Sequence, residues 1–304
     1  MPNVPNLYIL GAPKSGTTAL CTYLRGHPDI LMPPKEMHYF GSDLVFRNKP
    51  RITRQDYLSR YGPAGGERYR GDSAIWYLYS EHAATEIAEA CPDARCLALL
   101  RRPDDMVDSL HSEFLYQGDE DIPDLGAALE AEEDRRHGDR IPVDCDIPWA
   151  LQYRRVARYA DQVARYLSVF PRQQFQVVLY DDLEADTAGV YRDILGFLGV
   201  DDSFEPEFAV VNSNKTVRSP GFRQLLRHPP SPIRRLVRAT VRDQRARRAL
   251  GQRLVDLNTD VVPRARLDPS VRTLLMEAYA DQVDRLAELI ERDLSAWTVP
   301  PPSD

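Results

Sequence analysis

A short apolar run, Leu7-Tyr8-Ile9-Leu10, ends at Gly11, and the turn Ala12-Pro13-Lys14-Ser15-Gly16 leads into a helical pattern that opens at Thr17. A strand, a glycine-flanked turn and a helix N-terminus together form an anion site. Backbone N–H groups face into the turn, and the helix dipole adds partial positive charge. Lys14 supplies a full charge, and Ser15, Thr17 and Thr18 supply hydroxyl donors. Gly11 and Gly16 have the separation of a phosphate-cradling loop that reads G-x-x-x-x-G-K-[ST]. Here Thr17 stands at the lysine position, and the lysine is Lys14, inside the turn.

A second set of residues lies near the end of a strongly apolar stretch, ARCLALLR (94–101). Arg101 offers a planar fork to a phosphate. Ser109 sits two turns along a helix that begins at Pro103. The first loop resembles the 5′-phosphosulfate loop of sulfotransferases that use 3′-phosphoadenosine 5′-phosphosulfate (PAPS). Arg101, Pro103 and Ser109 are similar to that family's second signature, where the arginine and serine hold the donor's 3′-phosphate. NKTVRSPGF (214–222) resembles its late basic loop, which makes Lys215, Arg218 and Ser219 candidates for the nucleotide edge.

PPKEMHYF (33–40) resembles the K/N-E-x-H-F-F stretch of the heparan-sulfate branch, whose glutamate is the general base. The resemblance therefore implies Glu36 as base. A hydroxyl is a poor nucleophile until its proton is removed, and neighbouring Lys35 favours the ionised carboxylate that a base requires. His38 is the competing base, with His111 a more distant one. The same resemblance gives Lys14 an electrostatic role on the leaving phosphate. It implies PAPS as co-substrate and no metal.

One departure bears on the acceptor. The heparan-sulfate branch has E-K-[TS]-P-x-Y-F near its acceptor cleft, and DSAIWYL (72–78) puts Ser73 where that lysine stands. With a net charge of −7, this argues against a highly anionic polymer. Trp76, Tyr77, Tyr79, Trp149 and Tyr153 are candidates for an apolar or sugar-stacking pocket, or for core. The expected acceptor is a small molecule, glycan or lipid with a hydroxyl group.

Strands alternating with helical patterns have to position these residues. Apolar runs at 7–10, within 68–78, at 94–101 and at 175–180 read as strands. Helices are predicted from 17, over 80–90 with Ser80 opening it, from Pro103 to about 116, over 148–169, over 187–200 and over 269–293. Residues 119–147 read as a long loop with a short helix. The alternation implies βαβ units and a parallel sheet covered on both faces. The expectation is an α/β chain forming a single domain over 1–304, with a central parallel sheet flanked by helices and a P-loop-NTPase-like sulfotransferase fold. Within it, 212–222 is the nucleotide-covering loop, 223–253 an Arg-rich helical segment and 269–293 a closing helix.

Composition narrows the rest. The 304 residues suffice for a substantial core. An acidic chain argues against nucleic acid as a partner. The 39 basic residues include only four lysines, leaving 35 arginines, the bias of a GC-rich genome and in keeping with a bacterial member. Ten of those arginines, against the one acid Asp243, lie in 223–253, which reads as a solvated face or a contact for an anionic partner. Four cysteines without C-x-x-C spacing predict reduced thiols and a cytoplasmic location. No stretch predicts a transmembrane helix or a signal peptide. Two other classes fit the first loop alone, a kinase-like phosphotransferase and a non-catalytic nucleotide-binding module.

Overall fold

The computed structural model describes residues 4–63, 65–208 and 266–300, together with Asp243, Arg253 and the backbones of two short strands within 212–266. Residues 1–211 and 267–304 group into one compact body and 212–266 into a second. The first body holds a parallel sheet of five strands. They are β1 (Leu7–Ile9), β2 (Ile30–Leu31), β3 (Tyr69–Ser73), β4 (Arg95–Leu100) and β5 (Phe175–Leu179), in the order β2-β3-β1-β4-β5. β1 lies between β3 and β4, with Ile9 opposite Ser73 on one side and Leu97 on the other.

Parallel strands covered on both faces read as continuous apolar runs, and β1 and β4 do. Their side chains alternate between two cores. Tyr8, Leu10, Cys96, Ala98 and Leu100 pack into one cluster; Leu7, Ile9, Leu97 and Leu99 join Leu20, Leu24, Ile194 and Leu195 in the other. The second cluster includes α1 (Thr17–Arg25) and α10 (Thr187–Leu198). The first includes α3 (Ala83–Ala90), α4 (Pro103–Gln117), α8 (Tyr159–Leu167) and α11 (Pro269–Ile290). The predicted α/β architecture with a central parallel sheet is the one observed.

Some elements differ from expectation. Residues 148–169 are not one helix but a 3-10 turn (Pro148–Leu151), α7 (Tyr153–Val156) and α8. Gln152 and Arg158 have ψ of 68° and 64°, outside the helical range, and interrupt the run. Ser80 does not lie in the 80–90 helix. Its hydroxyl accepts from the N–H of Ala83, the first residue of α3. The 119–147 stretch carries two short helices, α5 (Leu125–Glu130) and α6 (Glu132–Arg136). Strand β2 and helix α2 (Arg54–Ser59) are too short to leave a periodic signal. The 180–200 stretch holds α9 (Tyr180–Ala185) as well as α10.

The 119–154 stretch is pinned by a buried ion pair. Arg135 donates two hydrogen bonds to Glu120, at 2.8 and 2.6 Å, and Tyr153 donates a third at 2.9 Å. Burial pushes the Glu120 carboxyl up, but the Arg135 fork and the other donors outweigh it and hold it below its ordinary 4.5. A lowered folded value means that this stabilisation is complete above about pH 4.5 and is lost as pH falls through the folded value. Arg135→Met leaves Glu120 buried and unpaired, and is expected to cost about 3–5 kcal/mol in urea unfolding at neutral pH.

In the second body, β6 (Lys215–Val217) and β7 (Thr259–Val261) form an antiparallel pair with Lys215 opposite Val261. The Arg-rich segment 223–253 lies outside the described residues apart from Asp243 and Arg253, as does most of the 212–222 loop.

Candidate active site

The first loop leaves the C-terminal end of β1 at the centre of the sheet. The Ala12 N–H donates to the Leu99 carbonyl at 2.6 Å and the Leu99 N–H to the Gly11 carbonyl at 2.7 Å, strapping the loop's entry to β4. Gly11 has φ of 120°, and a Cβ there would lie 2.3 Å from the Ile75 carbonyl oxygen, so only glycine fits. Gly16, at φ 85°, is the N-cap of α1. It offers no side chain to the helix amides, and the first turn carries no acid. The N-terminal N–H groups of α1 are thus without a side-chain cap, the condition for receiving an external anion.

Ser15 and Thr17 are buried, Thr18 partly so. Lys14 adopts φ 59°, and its Nζ lies 3.1 Å from Glu113 Oε2 on α4. Glu113 also accepts from Gln117 at 2.5 Å. The sequence offered no pointer to Glu113; it lies one helical turn after Ser109, a spacing that brings two residues to one face.

β4 ends at Leu100, so Arg101 emerges beside the loop. Its guanidinium sits 4.6 Å over the ring of Tyr180, the first residue of α9. That ring in turn lies 3.4 Å from where a Gly16 Cβ would be. The structure separates the two adjacent arginines. Arg102 is buried, paired with Asp104, and donates to the Ala296 and Val299 carbonyls at 2.6 and 3.0 Å. Arg101 remains half-buried next to the loop. Ser109 is buried on α4. Lys215 lies in β6 with only its backbone described, and Arg218 and Ser219 lie outside the described residues.

Residues 33–40 pass alongside the loop. Lys35 bridges the two, donating to Thr17 Oγ1 at 3.2 Å and standing 3.8 Å from Glu36 Oε1. His38 Nε2 lies 3.1 Å from Glu36 Oε2, and its ring packs against Phe46 with centroids 4.6 Å apart. The sequence-predicted residues Lys14, Thr17, Glu36 and His38 therefore belong to two segments joined through Lys35. His111 is set apart. Its Nε2–H donates to the Ile122 carbonyl at 2.9 Å, and burial lowers its pKa.

Beneath the 36–40 segment lies a clamp that sequence reasoning missed. Asp72 on β3 is fully buried, and its Oδ2 accepts from Tyr57 at 2.6 Å and from Tyr77 at 2.8 Å. The Tyr77 hydroxyl accepts the Tyr39 N–H at 3.0 Å, while the Tyr57 and Tyr39 rings stack at 4.1 Å. Burial raises the Asp72 pKa against the lowering by the two tyrosine hydroxyls. The one available signal was a carboxylate inside an otherwise strand-like, buried run. Tyr77→Phe strips both a donor to Asp72 and an acceptor for Tyr39, and is expected to cost about 1–3 kcal/mol in chemical denaturation.

The aromatic cluster is mainly core. Trp76, Tyr77, Tyr79 and Tyr153 are buried, and only Trp149 is partly exposed, donating its indole N–H to the Val45 carbonyl at 2.9 Å. Among the described residues, no group of three His, Cys, Asp or Glu side chains is arranged to hold a metal ion, and no helix is long and apolar enough to cross a membrane.

No protein-family model matches the chain. Its fold is similar along nearly its whole length to the crystal structure of a sulfotransferase from Alicyclobacillus acidocaldarius. The two share 27% identity and a TM-score of 0.72, covering 97% of this chain and 98% of that one. In sequence and fold the chain is similar to sulfotransferases. It is also 27% identical over 206 residues to mouse bifunctional heparan sulfate N-deacetylase/N-sulfotransferase 3, covering 65% of this chain and 22% of that protein. It is 27% identical over 202 residues to mouse heparan sulfate glucosamine 3-O-sulfotransferase 6, covering 64% and 52%. The chain thus spans between about a fifth and a half of the length of these two curated relatives.

Proposed function

We propose that the chain transfers a sulfuryl group from PAPS to an acceptor hydroxyl on a sugar, lipid or natural product. The observation that carries this reading is the Lys35 bridge, which ties Glu36 to Thr17 at the start of α1. It sets a carboxylate beside a loop built for an anion. The donor set suits a phosphosulfate. The uncapped α1 amides and Lys14 take its 5′ end; Arg101 and Ser109 take the 3′-phosphate, with Lys215, Arg218 and Ser219 assigned to the nucleotide edge. PAPS supplies the activated sulfur.

Glu36 takes the proton of the acceptor hydroxyl as its oxygen bonds to sulfur. The bond from sulfur to the phosphate oxygen breaks on the opposite side, and Lys14 neutralises the charge left on that oxygen. His38 orients Glu36 through their 3.1 Å contact.

The direct test is transfer from sulfur-labelled PAPS to a panel of hydroxylated acceptors, with ATP as the alternative donor. We expect turnover with PAPS in excess EDTA and none with ATP. Turnover with ATP that requires Mg²⁺ would replace this reading with a phosphotransferase. Arg101→Ala is expected to weaken binding of 3′-phosphoadenosine 5′-phosphate (PAP) by about tenfold or more, the size of a lost charge-assisted phosphate contact. Titration calorimetry reads that change directly.

A further inference from the structure

A cavity of about 750 Å³ opens beside Glu36 and His38. This lies within the ~300–1,000 Å³ range of small-molecule sites. Its walls are of two kinds. Met37, Phe46 and Ile52 supply apolar surface, and Phe46 is fixed between His38 and Trp149, 5.8 Å from the latter. Lys35, Lys49, Arg51 and Arg60 supply positive charge, and the sole acid among the lining residues is Glu36.

The pairing of these cations decides what the cavity can accept. Lys35 is matched by Glu36. Lys49 is matched by Asp146 at 3.7 Å and Arg51 by Glu86 at 3.5 Å, both acids lying outside the lining. Arg51 also donates to the Tyr39 carbonyl at 3.0 Å. Arg60, just past the end of α2, has no ion-pair or side-chain hydrogen-bond partner among the described residues. Arg60 is exposed, and its one uncompensated guanidinium at a cavity of mixed apolar and cationic walls can take one anionic group. A polyanion would have to break three existing pairs to find more.

On the proposed sulfotransferase reading, we infer that the acceptor is a singly anionic amphiphile. Its hydroxyl lies at Glu36, its apolar body runs along Met37, Phe46 and Ile52, and its carboxylate or equivalent acid meets Arg60. A sphere of the observed volume is about 11 Å across, which matches the length of an extended body of roughly ten carbons.

The test uses 10-hydroxydecanoate and its methyl ester, each titrated calorimetrically into the full chain with and without PAP. The acid is expected to bind about tenfold tighter than the ester. Arg60→Ala should erase that difference by weakening the acid alone, and Arg60→Lys should restore part of it. Equal affinities for acid and ester, no binding of either, or an Arg60→Ala loss shared by both would each overturn the inference. PAP binding is measured in a separate titration, so failure of the donor site is distinguishable from failure of the acceptor assignment.

Discussion

Lys14→Ala is expected to remove sulfuryl transfer, by at least about a thousandfold in turnover, the upper range for loss of one preorganised charge at a reacting oxygen. The structure adds a reason for a loss in donor binding as well. Lys14 stands 3.1 Å from Glu113, so removing the ammonium leaves a half-buried carboxylate inside the proposed anion site. Its like charge then opposes the incoming phosphosulfate. Two effects are separable by a second substitution. Lys14→Ala with Glu113→Gln should regain PAP affinity relative to Lys14→Ala, while turnover stays lost. Glu113→Gln alone should keep transfer, since Lys14 remains. Near-normal kcat in Lys14→Ala would take Lys14 out of the mechanism.

How much of this was legible in the sequence depends on the range of the contact. The first loop reads directly because glycine spacing, a lone lysine and the strand-to-helix change are local patterns, and both glycines occupy the positive-φ positions that such a turn requires. The parallel sheet reads as well, because strands buried on both faces are apolar throughout. The pair Lys14–Glu113 spans 99 positions, and Glu113 looks like any polar helix residue. The Asp72 clamp joins residues from α2, β3 and the turn after it, and nothing but a misplaced carboxylate marked it.

Whole-chain averages say little where the chemistry is local. The net charge of −7 argued against a highly anionic polymer, and it left unseen that the cavity beside Glu36 is lined by four cations and one acid, three of those cations already paired. Steric and electrostatic character at a site follows from the few residues that line it. The aromatic run at 76–79 carried no sign of its direction. Packed against Phe114 and Trp149, Trp76 serves the core, and the cavity takes its apolar surface from 37–52 instead. Helix 148–169 failed for a different reason, since apolar periodicity continued across two residues whose backbones do not.

Glu36→Gln is the sharpest test of the base. Glutamine keeps the shape and an acceptor oxygen for Lys35 and His38, so the bridge to Thr17 and the fold should survive. PAP affinity should therefore stay within about twofold of the parent, while kcat falls by about a hundredfold or more, the contribution of a general base. His38→Ala leaves the carboxylate in place and removes a neighbour at 3.1 Å, together with a ring packed on Phe46. We expect it to cost about tenfold, less than Glu36→Gln, because misorientation is cheaper than loss of the proton acceptor. The alternative assignment gives the opposite order: a hundredfold loss in His38→Ala with Glu36→Gln near normal would make the imidazole the base. Single-turnover transfer from labelled PAPS, measured beside PAP titration for each variant, separates the two, since only the chemical step distinguishes them.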